Sequence, residues 1–86
     1  MITFEAEIRT IIDKIYQMLI GKRHDYGDSF DIMWERFGVI SAVIRLHDKI
    51  MRLVSLVVVE PENESMEDTF KDIIGYCLLS LRMLRK

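Results

Sequence analysis

The sequence predicts an all-α fold, a small helical bundle of three long helices and one short helix, within a single domain of residues 1–86. Two observations lead to this prediction. Apolar residues recur at steps of three and four over most of the chain, which is the period of an amphipathic helix. Glycine, proline and acidic residues interrupt that period at only a few places. The valines at 57–59 favour a strand locally, but a lone strand has no sheet to join.

The first helix is predicted over residues 3–20. Its apolar face repeats at steps of three and one and comprises Ile8, Ile11, Ile12, Ile15, Met18 and Leu19. Gly21 is expected to end this helix, because glycine is favoured just beyond a helix C-terminus. Residues 22–28 then read as a polar connection.

The second helix is short and is predicted to begin at Asp28 or Ser29, because either residue can cap a helix N-terminus. It runs to Phe37, and Gly38 closes it. The third helix follows over residues 39–58 and is almost continuously apolar.

The fourth helix is separated from the third by an acidic loop at residues 60–64, which contains Pro61. Ser65 is expected to begin the helix through a capping box with Asp68. The helix runs to Leu84, and the basic residues at its end suit the helix macrodipole. Its predicted core stripe comprises Phe70, Ile73, Ile74, Cys77, Leu78, Leu81 and Leu84.

Composition predicts a self-associating protein. Half of the 86 residues are hydrophobic, including six methionines. A chain of this length hides only about 60–65% of the surface that its unfolded form exposes, so a monomer would struggle to bury them. We therefore expect a homo-oligomer, a dimer, tetramer or larger assembly.

Charge and cysteine content limit which binding partners and which cellular compartment we expect. A net charge of −2 gives no general attraction to nucleic acid polymers. Cys77 is alone in an apolar stretch, which indicates a buried, reduced thiol. No signal-peptide pattern opens the chain, and four charges within residues 39–59 argue against a membrane span. These features predict a soluble cytoplasmic protein.

Four charged residues share one face of the apolar third helix: Arg45, Asp48, Lys49 and Arg52. Charges on a mostly buried helix are costly to desolvate unless they meet partners. Those partners are opposite charges on another helix, a metal ion or an anionic ligand. An internal salt-bridge network with the acids of the fourth helix is the structural alternative to a ligand site.

The fourth helix carries Asp68, Asp72 and Tyr76 in one line, at steps of four. With Asp48 opposite, these carboxylates could supply oxygen ligands to Mg²⁺. Cations of the third helix would then neutralise phosphate oxygens. Four aromatic side chains could offer a flat surface to a base: Tyr26, Phe30, Trp34 and Tyr76.

Four motifs together resemble the nucleotide modification associated domain 1 family of small phage and bacterial proteins, over residues 22–84. They are Lys22-x-x-Asp25-Tyr26-Gly27-Asp28-Ser29-Phe30, Phe37-Gly38, Arg45-x-x-Asp48-Lys49-x-x-Arg52-Leu53 and Glu64-Ser65-x-x-Asp68-Thr69-x-x-Asp72-x-x-x-Tyr76. That family is similar to the MazG-like all-α nucleoside triphosphate pyrophosphatases. The resemblance implies helical subunits that assemble as dimers or tetramers, with an intersubunit pocket for a nucleotide and Mg²⁺.

The resemblance and the residues together define the expected site. The predicted ligand-binding residues are Lys22, Asp25, Tyr26, Arg45, Lys49, Arg52 and Tyr76, and the predicted metal ligands, if a metal binds, are Asp48, Asp68 and Asp72. The MazG-like enzymes carry two acids on the helix that here carries only Asp48. This difference favours binding over hydrolysis.

Three functions are therefore expected, in this order. The first is a phage-type protein that binds a nucleotide or cyclic nucleotide signal between the third and fourth helices without hydrolysing it, and so counters host defence. The second is a Mg²⁺-dependent nucleotide pyrophosphatase. The third is a structural oligomerisation module.

Overall fold

Helices account for almost all of the chain. The structure, a computed structural model, describes residues 1–26, 28–59 and 63–86, with side chains for all of these except residues 25, 26, 63 and 64. Within these ranges the chain forms four helices and no strand: α1 (Phe4–Tyr26), α2 (Ser29–Phe37), α3 (Ile40–Val59) and α4 (Asn63–Leu84). The predicted all-α architecture of three long helices and one short helix is confirmed.

The first helix is longer than its sequence predicts. α1 passes through Gly21 and ends at Tyr26, so most of the expected polar connection is helical. Glycine inside a helix costs about 1 kcal/mol relative to alanine, which favourable neighbours can offset. Lys22 and Arg23 are such helix formers, and Lys22 is also tied to α4 by an ion pair with Asp72. The prediction that Gly21 ends the helix is therefore wrong.

The predicted junction between α2 and α3 is confirmed. Gly38 has a positive φ of 76°, a conformation that glycine adopts without strain. Its N–H donates to the carbonyl oxygen of Trp34 at 2.7 Å, which closes α2. The Ser41 hydroxyl donates to the Gly38 carbonyl at 2.9 Å and fixes the start of α3.

Two predicted N-terminal caps differ from the structure. Asp28 precedes α2, but its side chain makes no cap hydrogen bond and pairs instead with Arg23 at 2.9 Å. α4 begins at Asn63, two residues before the predicted start. Ser65 therefore lies inside the first turn, where its carbonyl accepts a hydrogen bond from the Thr69 hydroxyl at 2.7 Å. The acidic loop predicted at 60–64 is helical at 63 and 64, and residues 60–62 lie outside the described ranges.

The core is small and lies where α2, α3 and α4 meet. Phe30, Ala42 and Met83 are buried there, and Trp34, Tyr76 and Leu79 pack around them. α4 packs most extensively against α3, and α1 reaches the bundle through α4.

Much of the predicted apolar surface stays exposed in one chain. Of the predicted α4 core stripe only Ile73 is half-buried, and the others are exposed: Phe70, Ile74, Cys77, Leu78, Leu81 and Leu84. The other α-helices cover the opposite side of α4, so the prediction of a buried Cys77 is wrong for the single chain. On α1, Ile15 is buried at 2% exposure, whereas Ile8, Ile11 and Ile12 are exposed. No helix within the described residues has the length and apolar character needed to cross a membrane.

Candidate functional site: a cationic cavity lined by aromatic residues

A cavity of about 490 Å³ opens between α1, α2 and α4, with one side chain from α3. Its walls are mainly apolar and aromatic, whereas charged side chains stand among them. The apolar lining comprises Tyr16, Leu19, Ile20, Phe30, Gly75, Tyr76, Leu78 and Leu79. The polar lining comprises Lys22, Arg23, Asp28, Ser29, Asp31, Arg45 and Arg82.

Gly75 lies where α4 packs closely against side chains of α1. A Cβ atom at this position would lie 3.2 Å from Leu19 Cδ2 and 3.3 Å from Met18 Cε. Both distances are tighter than ordinary van der Waals contact, so a Cβ atom here would require the ends of these two side chains to shift by a few tenths of an ångström. The absence of a side chain at Gly75 thus leaves room for Met18 and Leu19 of α1 to pack against α4.

Arg45 and two aromatic rings form the part of the cavity nearest α3. The Phe30 and Tyr76 rings are stacked, with centroids 6.1 Å apart and planes inclined by 15°. The Arg45 guanidinium carbon lies 5.6 Å from the Phe30 centroid and 5.9 Å from the Tyr76 centroid. These distances are within the range of cation–π attraction. A half-buried cation is therefore held against a flat apolar surface.

The cavity is more positive than the chain as a whole. Its lining has four cations (Lys22, Arg23, Arg45 and Arg82) and two carboxylates (Asp28 and Asp31), which gives a net charge of +2. The whole chain has a net charge of −2. The positive charge is therefore concentrated at this cavity, which favours an anionic ligand.

Arg82 and Asp31 join α4 to α2 at the edge of the cavity. The two guanidinium nitrogens of Arg82 donate to both carboxylate oxygens, at 3.1 and 2.7 Å. The hydrogen bond from Arg82 lowers the pKa of Asp31 despite burial, and the same bond raises the pKa of Arg82. The prediction that the basic end of α4 serves only the helix dipole is thus incomplete, because Arg82 has a specific partner.

Asp72 links α1, α3 and α4 beside the cavity. One carboxylate oxygen accepts from Lys22 Nζ at 2.8 Å, and the other lies 3.0 Å from Lys49 Nζ. Burial raises the pKa of Asp72, but hydrogen bonds from the two lysines outweigh this and hold it below its ordinary value. The predicted salt-bridge network between the third and fourth helices is therefore present at Lys49 and Asp72.

The structure brings only some of the predicted ligand-binding residues together. Lys22, Arg45 and Tyr76 line the cavity. Lys49 contacts Asp72 and Arg52 is exposed on α3, and neither of them lines the cavity. The side chains of Asp25 and Tyr26 lie outside the described residues. The cavity is thus formed mostly by α1, α2 and α4, rather than by α3 and α4 alone.

The predicted metal ligands do not form a cluster among the described residues. Asp48 and Asp68 are exposed on their helices, and both oxygens of Asp72 contact lysines. The described part of the chain contains no group of three or more His, Cys, Asp or Glu side chains placed to hold a metal ion. In this arrangement these three carboxylates do not fit a Mg²⁺ site.

Sequence reasoning missed most of the cavity lining, although a signal for it exists. Besides Lys22 and Tyr76, the lining residues on α1 are Tyr16, Leu19, Ile20 and Arg23, and those on α4 are Gly75, Leu78, Leu79 and Arg82. Both sets follow the same steps of three, one and three, and both end in an arginine. Such spacing places each set on one helix face. Two matching faces, each with an arginine one turn beyond an apolar pair, indicate a shared amphipathic wall.

Comparison with known proteins identifies the family of this chain. Neither the curated proteins nor the solved structures yield a match to this chain. The family model described as nucleotide modification associated domain 1 matches residues 22–84, which begin at Lys22 of the cavity and contain all of α2, α3 and α4. Because this match spans well over half of the sequence, the chain belongs to the nucleotide modification associated domain 1 family.

Proposed function

We propose that this protein binds a nucleotide, or a cyclic nucleotide, in the cavity and holds it without hydrolysing it. The observation that carries the proposal is the position of Arg45 over the Phe30 and Tyr76 rings in the cavity wall. A cation beside flat aromatic surfaces matches a ligand that joins a flat base to a phosphate group.

The size and lining of the cavity support a ligand of this kind. Its volume of about 490 Å³ falls within the range of small-molecule sites. Apolar walls with a few convergent charged groups are typical of such sites, because the walls provide contact area and the charges fix orientation. Here Leu19 and Ile20 of α1 face the same cavity as Leu78 and Leu79 of α4.

The cations that we assign to phosphate are Lys22, Arg23 and Arg45. Lys22 and Arg23 pair with Asp72 and Asp28, but their side chains are about half exposed. Exposed ion pairs contribute at most about 1 kcal/mol, so a phosphate can compete for these cations. The more buried pair of Arg82 and Asp31 has two hydrogen bonds and serves to hold α2 against α4.

The ion pairs of Asp72 support retention of the nucleotide rather than its hydrolysis. A MazG-like pyrophosphatase needs free carboxylate oxygens around a cation. Asp72 instead contacts an ammonium group with each oxygen. A protein that holds a nucleotide signal intact can remove it from solution, and we propose this role as a phage-type sponge that acts against host defence.

The test is a binding measurement with a panel of nucleotides and cyclic nucleotides. We expect at least one member to bind without added metal and to be recovered unchanged after heat denaturation of the complex. Arg45→Ala should weaken that binding at least about tenfold, because it removes the cation between phosphate and rings. Arg36→Ala removes an exposed arginine outside the cavity and should leave binding unchanged.

Two results would contradict the proposal. One is release of pyrophosphate in the presence of Mg²⁺, abolished by Asp72→Asn, which would identify a pyrophosphatase. The other is binding weakened by Arg52→Ala but not by Arg45→Ala. That pattern would place the ligand on the exposed face of α3 instead of in the cavity.

A further inference from the structure

The side of α3 that faces away from the bundle is apolar except at His47. Residues at alternating steps of four and three form a line that we call the α3 stripe: Ile40, Ile44, His47, Met51, Val54 and Val58. Every one of these side chains is exposed in the single chain. Val43, Ile50 and Val57 flank the line and are exposed as well.

The outer side of α4 repeats this pattern. Its residues at steps of four and three form the α4 stripe: Phe70, Ile74, Cys77, Leu81 and Leu84. All five are exposed, and Leu84 is 66% exposed. Neither stripe contains Lys, Arg, Asp or Glu, although these make up 30% of the chain. An outer helix face that met water would carry such residues.

The spacing of both stripes identifies the shape of what covers them. Alternating steps of three and four have a mean period of 3.5 residues, which is the seam of helices packed knobs-into-holes. That seam requires another helix with the same spacing. The chain itself provides two such helices, so a second copy offers complementary surfaces.

The folded chain exposes more surface than a monomer of its mass usually does. The folded chain exposes 6854 Å². A folded monomer of 10.2 kDa is expected to expose only about 5,300 Å². The difference, roughly 1,500 Å², is about twice the 800 Å² that each partner buries in a standard interface. The excess is therefore large enough for two interfaces of standard size.

We infer that second copies of this chain pack against the α3 stripe and the α4 stripe, and that the protein exists in solution as a homo-oligomer built on these two helix faces. His47 is the polar residue of the α3 stripe. A polar residue within an apolar seam specifies the alignment of the helices at a cost in stability. His47 thus limits how tightly the α3 stripe associates.

Sedimentation equilibrium over a range of protein concentrations tests this inference. We expect wild type to show a mass at least twice that of the 10.2 kDa chain. Val54→Lys and Leu81→Lys each place a charge in one stripe, so each should shift the mass towards the monomer. Gln17→Lys adds the same charge at an exposed α1 position outside both stripes and should leave the mass unchanged.

A variant that is expected to strengthen association keeps the inference testable if the lysine variants fail to fold. His47→Leu replaces the polar residue of the seam and should lower the dissociation constant at least about tenfold. A wild-type mass of 10.2 kDa at all concentrations would overturn the inference. So would folded lysine variants with the wild-type mass, or a His47→Leu variant that associates no more tightly than wild type.

Discussion

Arg45 shows what a charged residue on an apolar helix can do besides forming an ion pair. Its sequence position predicts a partner, because burial of a lone cation is costly. The partners that the structure shows are the faces of Phe30 and Tyr76. Attraction to the ring faces offsets part of the cost of burying the cation but does not neutralise its charge. The guanidinium therefore keeps its capacity to bind an anion.

Arg82 and Asp31 provide a prediction at the residue scale. Arg82→Ala should lower the free energy of unfolding by about 1–2 kcal/mol, because it leaves the mostly buried Asp31 carboxylate without its two donors. Arg82→Lys keeps the charge but not the paired geometry, so it should recover only part of this loss. Urea denaturation measures both changes. Equal stability of Arg82→Ala and wild type would show that the pair contributes nothing.

The glycines illustrate the element scale, since the same residue type has three different roles. Gly38 ends a helix at a positive φ of 76°. Gly21 lies inside α1, with no atom within 4 Å of a Cβ built on it, and Gly75 lies inside α4 against Met18 and Leu19. Among these three, Gly75 is the one that lies in close contact with another helix.

Substitution of the two helical glycines separates helix propensity from packing. Gly21→Ala should raise the free energy of unfolding by about 0.5–1 kcal/mol, because alanine favours the helix and meets no neighbour. Gly75→Leu should lower it by about 1–3 kcal/mol, because the larger side chain overpacks the contact with α1. Thermal denaturation compares the two variants. A destabilising Gly21→Ala would mean that α1 does not continue through this position.

The sequence predicts the elements better than it predicts the site, and glycine shows why. Gly38 is recognisable as a helix end, because an apolar helix period stops and restarts around it. Gly21 looks similar locally, yet α1 continues, supported by the contact of Lys22 with Asp72 fifty residues away.

The cavity is hard to predict for the same reason, because its contacts join residues that are distant in the sequence. Family motifs mark Lys22, Arg45 and Tyr76, whereas Asp31 and Arg82 are 51 residues apart and meet only in the fold.

At the scale of the whole molecule, the chain is more open than its length suggests. Its radius of gyration is 14.5 Å, whereas a compact domain of this length has about 12 Å. A periodic sequence reports that a helix face is apolar, but not whether the same chain covers that face. The sequence predicts the α4 stripe as core for this reason, whereas in the single chain it is exposed.

Two aspartates predict how the stability of the whole molecule depends on pH. Hydrogen bonds from cations hold the pKa values of Asp31 and Asp72 below their ordinary value of 3.8. A lowered pKa in the folded state adds stability that is fully present above the unfolded value and is lost as the pH falls through the folded value. The free energy of unfolding should therefore be unaffected by these groups between pH 7 and about pH 5, and should fall below about pH 4.

Asparagine variants assign this acid sensitivity to the two sites. Asp31→Asn and Asp72→Asn should each reduce stability at pH 7 and flatten its decline below about pH 4, measured by urea denaturation at several pH values. Asp13→Asn removes an exposed carboxylate of α1 and should keep the wild-type profile. An unchanged acid decline in both site variants would show that these ion pairs do not contribute to it.

Under the proposed function, the guanidinium over Phe30 and Tyr76 also determines which ligands bind best in the cavity. A neutral flat ring, such as that of a nucleoside, has to displace this cation from the aromatic faces and gives it no new partner. A ring that carries its own negative group moves the cation and pairs with it in the same step. The protein should therefore distinguish the phosphorylated form of a base from its unphosphorylated form, whichever base it prefers.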